Sequence, residues 1–75
     1  MSEREPRVTA REIISILERR GFSLVRSSGS HHIFRNSEGR RTTVPVHSGK
    51  ILHPKVLRGI LRDLDMTVND LRDEL

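Results

Sequence analysis

Residues 27–34, Ser-Ser-Gly-Ser-His-His-Ile-Phe, contain the turn around which the predicted fold is built. Gly29 and Ser30 form the tip of a hairpin, because both residue types are favoured in tight turns and strand-forming residues follow them. Two histidines come directly after this tip, and Ile33 and Phe34 then continue an apolar strand. Because the chain has few other groups that titrate near neutral pH, we expect acid–base chemistry in this segment.

Three short antiparallel strands are predicted around this turn. The first covers residues 22–28, the second 31–36 and the third 40–46, with a tight turn between each pair. The third strand is rich in the β-branched residues that suit a pleated surface, but Pro45 cannot donate a hydrogen bond to a neighbouring strand. We therefore expect the third strand to lie at an edge of the sheet.

Helix signals stand on both sides of these strands. A first helix over residues 10–20 begins with a capping box, in which Thr9 is the N-cap and Glu12 stands three residues later. A second helix has Pro54 in its first turn, and Thr67 begins a short C-terminal helix. The apolar face of the second helix consists of Val56, Leu57, Ile60, Leu61 and Leu64.

The element order is therefore α-β-β-β-α with a short C-terminal helix, which is an α+β fold. Neither long helix can bury its apolar stripe alone, so we expect both on one face of the sheet. The result is a two-layer sandwich whose other sheet face is open. We expect residues 9–75 to form a single domain and residues 1–8 to be a flexible N-terminus.

Charge is distributed unevenly along the chain. Residues 1–62 contain thirteen Lys and Arg against five Asp and Glu, a net charge of +8, whereas residues 63–75 contain one against five, a net charge of −4. A basic body attracts polyphosphates such as RNA, although arginines also serve simply to solvate a small surface.

Composition also excludes several classes of protein. Cysteine is absent, which excludes disulfides and thiolate metal sites. The chain lacks the apolar core of a signal peptide, and no apolar run approaches the roughly 18 residues of a membrane span. We therefore expect a cytoplasmic protein without a membrane partner.

Five segments together resemble the HicA toxins of bacterial and archaeal toxin–antitoxin pairs. They are Arg-Gly-Phe at 20–22, Gly-Ser-His-His-Ile-Phe-Arg at 29–35, Glu-Gly-Arg at 38–40, Val-Pro-Val-His-Ser-Gly at 44–49 and Leu-Arg-Gly-Ile-Leu-Arg at 57–62. The likeness spans roughly residues 9–72, and it is more specific than any one of these motifs.

This resemblance implies a fold similar to a double-stranded RNA-binding domain and an mRNA-cleaving activity that arrests translation. It also implies neutralisation by a HicB antitoxin, as in type II toxin–antitoxin systems, and we expect an acidic surface of that antitoxin to cover the active site. The catalytic histidine of the family follows the glycine-containing turn, which corresponds here to His31. The alternative function is a non-catalytic RNA-binding module of the same fold.

A second histidine, His32, leaves the choice of imidazole open. If Phe34 faces the helices, then strand alternation directs His31 and Arg35 to the open face and His32 to the covered one. If Ile33 is the core residue instead, these assignments exchange.

RNA cleavage without a metal needs a base for the ribose 2′-OH, donors for the charge on the phosphorane, and an acid for the leaving 5′-oxygen. A histidine can be either the acid or the base at neutral pH, so we predict His31 in this role and His32 as the alternative. The predicted RNA-binding residues are Gly29, Ser30, Arg35, Lys50, Lys55 and Arg58.

The remaining cations and histidines have simpler interpretations beside the functional ones. Lys55, Arg58 and Arg62 follow i, i+3, i+7 spacing, which either grips phosphates or forms an ordinary solvated helix face. His47 either satisfies loop backbone groups or contacts RNA. Without cysteines or a pair of histidines one helical turn apart, His47 and His53 do not suggest a zinc site, so we expect no metal and no cofactor.

Overall fold

The computed structural model describes residues 6–75 and contains each predicted helix and strand. The boundaries of the first helix and of the three strands lie within one residue of those predicted. The elements are α1 (Ala10–Arg19), β1 (Ser23–Ser28), β2 (His31–Arg35), β3 (Arg41–Pro45), α2 (Pro54–Leu64) and α3 (Val68–Glu74). The predicted α+β fold, a three-stranded antiparallel sheet with helices before and after it, is confirmed.

The chain before α1 is anchored from Val8 onward. Val8 is fully buried, and its carbonyl accepts a hydrogen bond of 2.8 Å from the Leu52 N–H. Thr9 forms an isolated antiparallel bridge with Ile51. Residues 1–5 lie outside the described part of the chain, so flexibility there stays a prediction.

Helix α1 begins and ends with the motifs that the sequence predicts. The Glu12 N–H donates to Thr9 Oγ1 at 3.2 Å, and the Thr9 N–H donates to Glu12 Oε1 at 2.9 Å, which completes the capping box. Gly21 has φ +87°, and the Phe22 N–H donates to the Leu17 carbonyl at 2.9 Å. This Schellman ending turns the chain directly into β1.

The strands are ordered β1-β2-β3, so β3 is an edge strand, as predicted from its proline. Two hydrogen bonds frame the ladder between β2 and β3. The Val46 N–H donates to the Ser30 carbonyl at 2.7 Å at one end. At the other end, the Asn36 N–H donates to the Arg40 carbonyl at 3.0 Å.

The hydrophobic core lies on one face of this sheet. Phe34 is directly paired with Thr42 and His32 with Val44, so these four residues share a face. Phe34, Thr42 and Val44 are buried. They pack with the buried faces of α1 and α2, which are formed by Ala10, Ile13, Ile16, Leu17, Leu57, Ile60, Leu61 and Leu64.

The acidic C-terminal segment is attached to the end of α1. Arg20 Nε lies 2.6 Å from Glu74 Oε2, and an Arg19 Nη2 donates to the Glu74 carbonyl at 3.0 Å. Leu71 of α3 is fully buried in the core. Glu74, one of the five acidic residues of segment 63–75, therefore joins α3 to the basic end of α1.

Helix α2 ends at a residue that is not glycine but has a left-handed backbone. Asp65 has φ +55°, its N–H donates to the Arg62 carbonyl, and the Met66 N–H donates to the Leu61 carbonyl at 2.9 Å. Because glycine adopts this conformation without a Cβ penalty, we expect Asp65→Gly to raise the free energy of unfolding by up to about 1 kcal/mol. Urea titration measures the change, and a lower unfolding midpoint than in the unmodified chain would contradict it.

The capping box of α3 makes stability depend on pH. Hydrogen bonds from the Thr67 backbone N–H and hydroxyl, together with the charge of Arg20, lower the pKa of Asp70 from its ordinary value of 3.8. A carboxyl group whose pKa is lowered by folding stabilises the fold above 3.8, and this contribution is lost as the pH falls through the folded-state pKa. We expect the urea midpoint to fall less steeply below about pH 4 in Asp70→Asn than in the unmodified chain.

Asp73→Asn is the matched control for this comparison, because Asp73 is exposed on the same helix and takes no part in the capping box. The control variant should keep the pH dependence of the unmodified chain. Equal slopes for all three proteins would show that the capping box contributes no pH-dependent stability.

Candidate active site and nucleic-acid interface

The burial of Phe34 fixes the orientation of all three strands. Phe34 is 3% exposed, whereas its neighbour Ile33 is only partly buried. The interpretation in which Ile33 is the core residue is therefore wrong. His31 and Arg35 point to the open face of the sheet, and His32 points to the face that the helices cover.

Strand pairing defines the residues that share the open face with His31. His31 is opposite Ser28 and Pro45, Ile33 is opposite Arg26 and Thr43, and Arg35 is opposite Ser23 and Arg41. Directly opposed residues point to the same side of a sheet. We define the open face as these nine residues: Ser23, Arg26, Ser28, His31, Ile33, Arg35, Arg41, Thr43 and Pro45.

His31 is exposed at one end of this face. It is the first residue of β2 and follows the turn in which Gly29 has φ +57°. An added Cβ at Gly29 would meet no atom within 4 Å, so the backbone of the turn is open to an approaching ligand. Within residues 6–75 the His31 ring makes no hydrogen bond, which leaves both ring nitrogens available to a substrate.

His32 occupies a different environment on the covered face. It is half-buried, and its Nδ1 lies 3.2 Å from the Ser30 carbonyl. A carbonyl only accepts, so this hydrogen bond requires a proton on Nδ1. The same carbonyl accepts from the Val46 N–H. His32 therefore helps to hold the hairpin turn against the chain that leaves β3.

Three arginines give the open face its positive charge. Arg26 is opposite Ile33, two residues from His31, whereas Arg35 and Arg41 face each other at the far end. The Cα atoms of His31 and Arg35 are separated by four residues of strand, which is about 13 Å. The face contains no acidic residue, so its charge is not neutralised from within.

Arg26 and Arg41 also belong to this face, although neither is among the predicted site residues. The two-residue turn at Gly29 and Ser30 already sets Ser28 opposite His31, and that register places Arg26 on the same side two residues earlier. A bulge between Leu24 and Arg26 adds one residue to β1. Before the bulge it is therefore Ser23, opposite Arg35, that lies on the open face, and not Leu24, which is opposite Phe34. The hairpin register could therefore have predicted that Arg26 lies on the open face. Alternation along β2 and β3 could have predicted the same for Arg41.

The structure divides the predicted RNA-binding residues into two groups. Gly29, Ser30 and Arg35 belong to the hairpin that carries His31. Lys50 lies in the loop before α2, and Lys55 and Arg58 lie on α2, which packs against the opposite face of the sheet. Lys55 and Arg58 are therefore not brought together with His31, whereas Lys50 lines a cavity with Pro45, the residue opposite His31.

His53 and His47 lie near the start of α2. His53 is the N-cap of this helix, where its Nδ1 accepts from the Lys55 N–H at 3.1 Å. Both histidines line a cavity of about 290 Å³ that Ile51 and Val56 also line. No group of three or more His, Asp or Glu side chains in residues 6–75 is arranged to hold a metal ion.

No helix within the described residues combines the length and apolar character needed to cross a bilayer.

The chain is a small α+β domain whose sheet exposes one cationic face with a histidine at its end. The family model for the HicA toxin of bacterial toxin–antitoxin systems matches residues 10–66. The chain belongs to the HicA toxin family, and this membership implies an antitoxin partner. No match is found among curated proteins.

Proposed function

We propose that this HicA-family protein cleaves mRNA on the open face of its sheet, with His31 as the general acid–base and no metal cofactor. The observation that carries the proposal is the placement of His31, which is exposed beside an open turn on a face with three arginines and no carboxylate. Family membership supports an mRNA target, because HicA toxins generally cleave mRNA. Arrest of translation and neutralisation by an antitoxin follow from the same membership.

In the proposed reaction, His31 removes the proton from a ribose 2′-OH, and the 2′-oxygen attacks the adjacent phosphorus. The phosphorane that forms carries extra negative charge, which a guanidinium can stabilise through two parallel hydrogen bonds. Arg26 is the arginine of the open face closest to His31 along the sheet. The imidazolium then returns its proton to the departing 5′-oxygen. The products are a 2′,3′-cyclic phosphate and a 5′-hydroxyl end.

The other predicted residues bind RNA around the reacting phosphate. Gly29 lets the RNA backbone come close to the turn, and the Ser30 hydroxyl supplies a short donor. Arg35 and Arg41 are about four residues of strand away from His31, so they hold phosphates that flank the cleavage site. Because α2 covers the opposite sheet face, Lys55 and Arg58 contact RNA only beyond the cleavage site. Lys50 lies nearer to it, since it lines a cavity with Pro45, the residue opposite His31.

The test is cleavage of an end-labelled mRNA fragment by the purified full chain in EDTA, with analysis of the new RNA ends. We expect cleavage that yields 2′,3′-cyclic phosphate and 5′-hydroxyl ends. A single 2′-deoxy substitution at the cleaved nucleotide should prevent it, because the nucleophile is then missing. Cleavage that requires Mg²⁺ or leaves 5′-phosphate ends would overturn the proposed mechanism.

The alternative function, a non-catalytic RNA-binding module, is favoured by one observation. The open face carries a single imidazole and no carboxylate, so a separate acid and base are not both present on it. Such a module would bind the same fragment with a steep salt dependence and leave it intact.

A further inference from the structure

A groove of about 440 Å³ lies between the free edge of β3 and helix α2. Arg41, Thr42 and Thr43 line it from the strand, and Lys55, Gly59 and Asp63 line it from the α2 side. The groove is separate from the hairpin that carries His31, and of its lining residues Arg41 and Lys55 are also proposed to contact RNA. Three of its properties point to a ligand.

The first property is the unpaired backbone of β3. Pairs of residues in an antiparallel ladder alternate between hydrogen-bonded and non-hydrogen-bonded positions. The Val46 N–H bonds to the Ser30 carbonyl, so Ser30 and Val46 form a hydrogen-bonded pair. Counting along the ladder from that pair, Thr43 and Arg41 fall in non-hydrogen-bonded pairs with β2. Their N–H and C=O groups therefore point away from β2, and no strand formed by residues 6–75 lies on that side of β3. These four groups form a template for another strand.

The second property is the glycine in the middle of α2. A glycine inside a helix costs about 1 kcal/mol relative to alanine. Within the described residues 6–75, an added Cβ at Gly59 would meet no atom of another element within 4 Å, so packing among these residues does not require a glycine here. What Gly59 does provide is space opposite Arg41 and Thr43, where another backbone could approach closely.

The third property is charge. Arg41 and Lys55 are exposed cations of the groove, and Asp63 is its acidic residue. Asp63 Oδ2 accepts a hydrogen bond of 2.9 Å from the hydroxyl of Thr42, a residue that is only 2% exposed. One carboxylate oxygen is thus committed to the fold, and the groove keeps a net positive charge. An acidic ligand fits this charge better than a neutral one.

We propose that this groove receives an extended, acidic segment of the antitoxin, which adds to β3 as a fourth strand. Strand addition supplies main-chain hydrogen bonds to Arg41 and Thr43, and Gly59 leaves room for the added backbone against α2. Pairing stops at Pro45, which has no N–H. Arg41 also belongs to the open face, so a segment bound here holds the antitoxin beside the face that carries His31. The proposal depends on membership in a toxin–antitoxin family and not on the nuclease mechanism.

The test uses the full chain with the cognate antitoxin purified from the co-expressed complex. We expect Gly59→Leu, which fills the groove, to weaken antitoxin binding at least tenfold while the melting temperature is equal or higher. Lys55→Gln should also weaken binding, whereas Arg62→Gln is the matched control, because Arg62 is an exposed cation of α2 outside the groove. Unchanged affinity for Gly59→Leu would overturn the proposal.

Hydrogen exchange locates the added strand independently of these variants. In the complex, we expect the amides of Arg41 and Thr43 to exchange at least tenfold more slowly than in the free toxin, while the Ser27 amide on the free edge of β1 is unchanged. Protection on β1 without protection on β3 would contradict strand addition at this groove. If Gly59→Leu weakens RNA binding and leaves antitoxin binding intact, the groove is an RNA site and the proposal is wrong.

Discussion

His31→Ala is expected to reduce the rate of RNA cleavage at least about 100-fold, because removal of a general acid–base typically costs that much or more. The fold should survive, since the His31 side chain is exposed on the open face and its ring makes no hydrogen bond within residues 6–75. Single-turnover cleavage of a labelled fragment measures the rate, and circular dichroism measures the melting temperature.

His32→Ala is the matched control, because it removes the neighbouring imidazole from the other side of the same strand. It should lower stability by about 1 kcal/mol through loss of the hydrogen bond to the Ser30 carbonyl, with only a small effect on the rate. Loss of cleavage in His32→Ala with full activity in His31→Ala would contradict the assignment. A large drop in melting temperature for His31→Ala would contradict its placement on the open face.

Phe34→Ala is expected to remove a large part of the stability of the fold. Phe34 is 3% exposed in the core between the sheet and the helices, and removal of such a side chain costs about 3–5 kcal/mol. A domain of 75 residues has a total stability of roughly 4–11 kcal/mol, so the loss is a large part of the whole. Urea titration followed by far-ultraviolet circular dichroism measures it.

The neighbouring residue provides the control for this substitution. Ile33 is partly buried on the open face, so Ile33→Ala should cost much less than Phe34→Ala. Equal losses for the two variants would show that both sheet faces are packed and that the open face is not free to bind RNA.

Much of this fold is predictable because local signals and tertiary packing agree. The capping box at Thr9 and the left-handed Gly21 define both ends of α1 within a few residues of sequence. The turn at Gly29 and Ser30 likewise fixes the hairpin register. Alternation alone could not decide whether Ile33 or Phe34 is the core residue, because both are apolar. Only the packing of the helices on Phe34 makes that choice.

The parts that sequence analysis did not predict depend on contacts between distant segments. Lys55 and Arg58 are on the side of the sheet away from His31 because α2 packs there. The spacing of charges along a helix does not reveal which sheet face the helix covers. His53 is the N-cap of α2 and Asp65 supplies its left-handed C-terminus, although neither residue type is the most favoured at its position. The groove beside Gly59 exists because β3 is an edge strand lying close to α2.

An NMR titration of the imidazole rings shows most directly whether RNA binds on the open face with its reacting phosphate at His31. The chain has four histidines, so each ring can be followed separately during the titration. The RNA carries 2′-deoxy substitutions, so it cannot be cleaved by the proposed mechanism. We expect the His31 ring signals to shift most, while those of His47 and His53 change little. Shifts confined to His47 and His53 would place the RNA at the start of α2 and would contradict RNA binding on the open face.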